Sequence, residues 1–289
     1  MALPNFVMAG VQKAGSTSIW SYLGQHPQVY LPRVKEIGFL EREFEPSQIC
    51  SRSAYTVNFD SYKVLFDGVK DEIAIGDGTV NCLFHHQSSI PRIQQYLDNP
   101  KVFAILRHPV ERAFSDYLMH IRDVVSSKVL PLSQQSSSSF QLRKGLYSQQ
   151  VLAFKEAFGD RFQVYLYDDL KADSGAFMKQ IYDFLGIDES FVPDVSRKQQ
   201  RAAVPKSKSI NQLLRGKNPI RSGAAEVLRL FVNEEQRQRL RNSLISLNDQ
   251  GKEKAALKPD EREYLINYFR EDVLALQELL NRDLSAWLE

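Results

Sequence analysis

Cysteine is scarce in this 289-residue chain, which holds only Cys50 and Cys82. Two cysteines build neither a disulfide framework nor a C-x-x-C metal site, so the core must hold the fold, and both are expected as free buried thiols. Long apolar runs are missing as well. No stretch approaches the ~18 residues of a membrane-spanning helix, and no basic-then-apolar leader opens the chain. A soluble cytoplasmic protein is therefore expected, unless the chain is an excised domain of a longer one. Net charge is nearly absent, at +2, which argues against nonspecific nucleic-acid binding. The charge is unevenly placed, however. Residues 195–225 carry eight Lys/Arg and no Asp/Glu, leaving −6 for the remainder. Repeats and linker composition are also missing, and nothing fixes an oligomeric state. One α/β domain over residues 1–289 is expected, with a C-terminal helical portion from about 205 packed on it.

What the chain does have is a regular alternation of strand and helix patterns. An apolar strand at 6–10 leads through a glycine loop into a helix carrying Ile19, Trp20, Tyr22 and Leu23. Residues 29–32 read as a short extended piece, 41–70 as irregular with a short helix, and 73–77 as a compact strand. A helix over 89–97 stops at Asp98-Asn99-Pro100. The unbroken apolar run of 101–106 suits a parallel strand covered on both faces. Pro109 then opens a helix whose stripe is Val110, Ala113, Phe114, Tyr117, Leu118 and Ile121. The serine-rich 126–139 reads as a mobile loop. Helices follow at 147–158 and 176–185, with a strand at 162–167 between them and Gly186 as a stop. A last helix over 259–280 starts at Pro259, with acidic residues complementing its dipole and Leu265, Phe269, Leu276, Leu279 and Leu280 inward. This order predicts a three-layer parallel α/β sheet, in which ligands bind beyond the C-terminal strand ends.

The chemistry concentrates in Gly10-Val-Gln-Lys-Ala-Gly-Ser-Thr-Ser18. A strand, a glycine loop and a helix N-terminus form an anion cradle. Gly10 and Gly15 have the G-x-x-x-x-G spacing of a nucleoside-triphosphate loop, yet Ser16 stands where that motif needs lysine. The lysine lies inside the loop, at Lys13. A lone G-x-x-K reads first as a turn lysine facing solvent, but the three hydroxyls that open the next helix favour an anion site. A second candidate anion site pairs Arg107, at a strand end, with Ser115 eight residues later, the plainer alternative being an ion pair with Glu111. Asp77, at the end of 73–77, is a weak stand-in for a Mg²⁺ carboxylate. Two anion sites on one sheet point to a nucleotide bearing phosphates on its 5′ and 3′ sides.

That loop, together with Leu106-Arg-His-Pro-Val-Glu-Arg-Ala-Phe-Ser-Asp-Tyr117, resembles the sulfotransferases that use 3′-phosphoadenosine-5′-phosphosulfate (PAPS) and release 3′-phosphoadenosine-5′-phosphate (PAP). The likeness is greatest to the glycan-modifying branch and its bacterial relatives. It spans roughly residues 5–190 and, weakly, the Arg282-Asp-Leu-Ser-Ala-Trp287 end. It implies a P-loop nucleotide-hydrolase-like fold, with Lys13 at the transferring group and Ala14, Gly15, Ser16, Thr17 and Ser18 around the 5′ phosphate. Arg107 and Ser115 would hold the 3′-phosphate, and Tyr167 of Tyr167-Asp-Asp-Leu170 would lie near adenine. Lys35-Glu36-Ile-Gly-Phe-Leu40 matches the branch's base motif, except at Leu40, and makes Glu36 the expected base. His85 and His86 compete under the branch that uses histidine. The stretch 76–82 departs from the family at Val80 and Cys82, and the basic 197–208 corresponds to a loop over the 3′-phosphate. No metal is implied. The acceptor would be a hydroxyl or amine on a carbohydrate, lipid or small molecule. Phe39, Phe44, Tyr55, Phe59 and Tyr62 are either acceptor-lining or core. The rivals are a P-loop kinase needing Mg-ATP and a noncatalytic binder of acidic glycans.

Overall fold

The computed structural model describes residues 2–43, 58–123, 130–196 and 257–289. Cys50, Phe44, Tyr55, residues 126–129 and the basic 197–208 fall outside the described residues.

Five parallel strands form the sheet: β1 (Phe6–Gly10), β2 (Val29–Tyr30), β3 (Ala74–Asp77), β4 (Lys101–Leu106) and β5 (Phe162–Leu166), in the order β2-β3-β1-β4-β5. Every side chain of β1, and those of β4 from Val102 to Leu106, is buried. Because successive strand residues point to opposite faces, full burial means that both faces are covered, which gives three layers. Phe6 and Phe103 stack across the pair at 6.1 Å.

Helices fill the connections: α1 (Ser16–Leu23), α2 (Phe59–Val64), α3 (His86–Tyr96), α4 (Pro109–Asp123), α5 (Phe140–Arg143), α6 (Ser148–Phe158), α7 (Tyr167–Ala172), α8 (Ser174–Leu185) and α9 (Pro259–Leu280). Several bounds differ from the sequence pattern for local reasons. Helix α3 begins at His86 rather than 89, since the Ser88 and Ser89 N–H groups already bond back to His85 O. Strand β5 stops at Leu166, and Tyr167 instead opens α7, whose first turn holds Asp168 and Asp169 at the positive end of the helix dipole. The expected mobile loop is ordered over 130–139. Leu132 is buried in a one-turn 3₁₀ helix, and the Ser139 hydroxyl caps α5 by accepting from Leu142 N. Phe39, Phe59 and Tyr62 prove to be packing residues. They stack on one another, with Phe39 and Tyr62 4.6 Å apart, and Arg92 lies over Phe39.

Helix α9 turns Leu265, Ile266, Phe269, Val273 and Leu276 inward, while Leu279 and Leu280 are only half-buried. Its Asp272 supplies the cap that α6 lacks. One carboxylate oxygen accepts from Tyr147 N at 2.6 Å, and the other from Ser148 N and Ser148 Oγ at 3.1 and 2.5 Å. Beyond α9, Arg282 grips Asp169 with two bonds of 2.8 and 2.6 Å, and Trp287 Nε1 donates to Asp168.

The strand order has one consequence for function. The chain leaves β1 toward β2 on one side and leaves β4 toward β5 on the other. A crevice therefore opens between the C-terminal ends of β1 and β4, the switch point where such sheets bind ligands.

Candidate functional site

The loop after β1 occupies one wall of that crevice. The pairing of β1 with β4 slips between Met8 and Gly10, while Val11 N still donates to Ile105 O at 2.9 Å. Lys13 and Gly15 both take left-handed backbone conformations, at φ 76° and 82°. Alternation of this kind curls a chain so that successive N–H groups face one point, a concavity suited to anions. At Lys13 the conformation is uncommon for a residue with a side chain. Gly15 is required twice over, because a Cβ there would also lie 2.8 Å from the Tyr167 ring. The α1 hydrogen-bond ladder starts with Ser18 and Ile19 donating to Gly15 O, so the amides of Gly15, Ser16 and Thr17 precede it at the positive end of the helix.

Arg107, just past β4, forms the other wall. Its Nη1 donates to Lys13 O at 3.0 Å, its Nη2 lies 3.6 Å from Glu111, and its guanidinium sits 5.1 Å above the Tyr167 ring. The Tyr147 hydroxyl fixes its backbone by donating to Arg107 O. Glu111 is shared with Arg262 of α9 at 3.0 Å, so the Glu111 ion pair foreseen as the plain alternative does form. It does not use up the arginine, which also ties the two loops together. Ser115 is half-buried one helical turn beyond Glu111, and Met119 lies one further turn along the same face. The Lys13 ammonium reaches that face, 3.6 Å from Met119 Sδ.

Lys13, Gly15, Arg107 and Tyr167, four positions spread over more than 150 residues, thus meet in one crevice, and Ser115 lies on the α4 face that Lys13 reaches. Within the loop, Ala14 is buried, Ser16 nearly so, Ser18 half-buried and Thr17 exposed.

Glu36 stands on the segment after β2. It is half-exposed and 4.0 Å from the Lys35 ammonium. His85 is committed elsewhere, with Nε2 3.2 Å from the buried carboxylate of Glu41, and His86 begins α3. Asp77 is buried and held by Tyr62 and Thr79, and its carboxyl is pushed up by burial. It braces the fold beneath the crevice. Among the described residues no group of three or more His, Cys, Asp or Glu side chains could hold a metal ion.

Two lysines emerge that the sequence pattern did not single out. Lys35 Nζ donates to Ser16 Oγ at 2.9 Å, and burial pulls its pKa down to about 8, with Glu36 opposing the shift. Lys144, after α5, donates to Gln12 Oε1 at 3.1 Å, and burial lowers its pKa too. Their sequence signal was faint. A lysine beside Glu36 was visible, but its contact with α1 depends on where the 33–38 segment runs.

The fold and site define a P-loop-like α/β protein whose switch-point crevice is lined by hydrogen-bond donors and cations on both walls. Residues 4–191 match the sulfotransferase family, and the chain belongs to it. The relatives agree. Over 132 residues it is 31% identical to the membrane-associated sulfotransferase kil1 of Dictyostelium discoideum, a match spanning 46% of this chain and 26% of that one. The chain therefore spans about a quarter of that relative's length. A sulfotransferase from Alicyclobacillus acidocaldarius superposes over the full length of both chains with a TM-score of 0.71 at 26% identity. Among the described residues, no helix is long and apolar enough to cross a membrane.

Proposed function

We propose that this protein transfers the sulfuryl group of PAPS to a hydroxyl or amine acceptor, such as a carbohydrate, lipid or small molecule. The observation that carries the reading is the bond from Arg107 to Lys13 O, because it joins the loops after β1 and β4 into one crevice with an anion subsite at each end. The residues suit the nucleotide. The left-handed loop, the first-turn amides and the Ser16, Thr17 and Ser18 hydroxyls offer donors on the 5′ side. Arg107 and Ser115 offer them on the 3′ side, and Tyr167 provides a ring face beside both.

PAPS supplies an activated sulfonate whose departure leaves charge on the bridging phosphate oxygen. Lys13 and the loop amides would stabilise that charge as it develops. Glu36 is the better placed base. Its carboxylate is half-exposed beside Lys35, which bonds Ser16 at the start of α1, while the His85 ring is taken by Glu41. It would take the acceptor's proton as the acceptor oxygen or nitrogen attacks. A sulfonate carries less charge than a phosphoryl group, so these residues can act without a divalent ion.

Thermal unfolding with added nucleotide tests the reading. PAP without metal is expected to raise the midpoint, since a ligand at a hundred times its dissociation constant adds about 2.7 kcal/mol. Preference for Mg-ATP would favour a kinase, and indifference to both would favour a noncatalytic binder. Screening acceptors with labelled PAPS then identifies the substrate.

A further inference from the structure

Sulfuryl transfer as described leaves Lys35 without a role, yet its setting is unfavourable for a cation. Its ammonium donates to the hydroxyl of Ser16, the first residue of α1. There the helix dipole already presents roughly half a positive charge. Its stem is enclosed, because a Cβ on Gly78 would lie 2.6 Å from the Trp20 ring and 3.0 Å from Lys35 Cγ. Only 17% of its side chain is exposed, and its counter-charge Glu36 is 4.0 Å away and itself 43% exposed. Among the described residues, no other charged group shifts its pKa. Helix α1 contributes Ser16 and Trp20, and the turn after β3 contributes Gly78. Such a cation is desolvated and poorly balanced unless an anion completes the arrangement.

The hydrogen-bond directions fit an anion at this point. Ser16 Oγ accepts from Lys35, so its own proton is free to be donated onward. The ammonium keeps two further N–H groups. The pair can therefore offer both O–H and N–H donors to one oxyanion at the start of α1, beside the loop that holds Lys13. Resting on the sulfotransferase reading, we infer that Lys35 is a second nucleotide-binding lysine beside Lys13, gripping the 5′-phosphate side of the nucleotide together with Ser16, and that only its ammonium form does so.

Burial sets the pH at which this grip is lost. With the pKa of Lys35 near 8, the binding form dominates below that value and disappears as the pH rises through it. The second phosphate ionisation, near pH 6, is complete above about pH 7, so PAP's own charge does not change across this window. In the ligand-free protein the sign is opposite. The folded state disfavours the charged lysine, so removing the charge relieves a cost of folding.

Titration calorimetry with PAP between pH 7 and 9.5 tests the proposal on wild type, Lys35→Met and Lys35→Arg. Wild-type affinity is expected to fall roughly tenfold or more above pH 8, as a charge-assisted bond is lost. Lys35→Met should start at the weak level and stay flat, whereas Lys35→Arg should stay tight to pH 9.5. Lys35→Met should also raise the unfolding midpoint without ligand, an outcome that a purely structural lysine would reverse. Equal PAP affinity of Lys35→Met and wild type at pH 7 overturns the proposal. So does an alkaline loss that persists in Lys35→Arg. Failure of the wild type to bind PAP at any pH would instead remove the donor reading itself, and this inference with it. Should Lys35→Met not fold, wild type against Lys35→Arg decides.

Discussion

Glu36 and Lys35 are chain neighbours in contrasting surroundings, one half-exposed and the other enclosed against α1. That contrast separates their tasks. If Glu36 is the base, Glu36→Gln should lower kcat by two orders of magnitude or more, the usual span of general-base contributions. Its PAP affinity should stay near wild type. Retained turnover would eliminate it and return attention to His85. Lys13→Ala should abolish transfer. At Gly15 the constraint is legible beforehand only as a motif glycine. The Tyr167 ring that forbids a Cβ there lies 152 positions away in the chain.

At the scale of elements, the site depends on caps delivered from a distance. Helix α6 begins under the Asp272 carboxylate, and Tyr147 just before it bonds Arg107 O. Asp272→Ala should cost about 0.5–2 kcal/mol, the range for lost helix caps, measured by urea unfolding. PAP affinity should weaken as well if the Tyr147 contact transmits the loss. Helix α4 carries a second hidden support. Arg112 is fully buried, 3.2 Å from Asp116, and its Nη2 donates to Gln141 O of α5. Burial alone would raise the Asp116 carboxyl, but its His120 and Arg112 partners outweigh that and pull it to about 2. Asp116→Ala, which leaves Arg112 charged and unpaired, should therefore cost about 3–5 kcal/mol. From the pattern, Arg112 and Asp116 only fell off the apolar stripe, and nothing local revealed that they are buried together.

At the scale of the molecule, the C-terminal end closes the structure over the β5 side. Trp287 is nearly buried, stacks near His108 and donates to Asp168, while Arg262 reaches both Glu111 and Glu289 O. The surroundings of His108, chiefly burial, lower its pKa to about 4, so it stays neutral beneath that ring at neutral pH. These contacts favour one cooperative unit. Denaturation is expected to show a single transition, which Trp287→Ala lowers by about 3–5 kcal/mol. Two resolved transitions would mark the C-terminal helix as a separate unit.

The strand–helix order, the phosphate-type loop and the Arg107–Ser115 spacing were determined by the sequence alone, because each is a local pattern of periodicity or adjacent residues. The tertiary structure decided what those patterns face. It placed the loops after β1 and β4 on opposite walls of one crevice and assigned His85 to Glu41. It packed Phe39, Phe59 and Tyr62 together and brought Lys35 onto Ser16. Such outcomes depend on strand order and on contacts between residues far apart in the chain, which no window of sequence encodes. The opening loop reads from sequence as one anion cradle, and in the fold Arg107 ties it to the loop after β4.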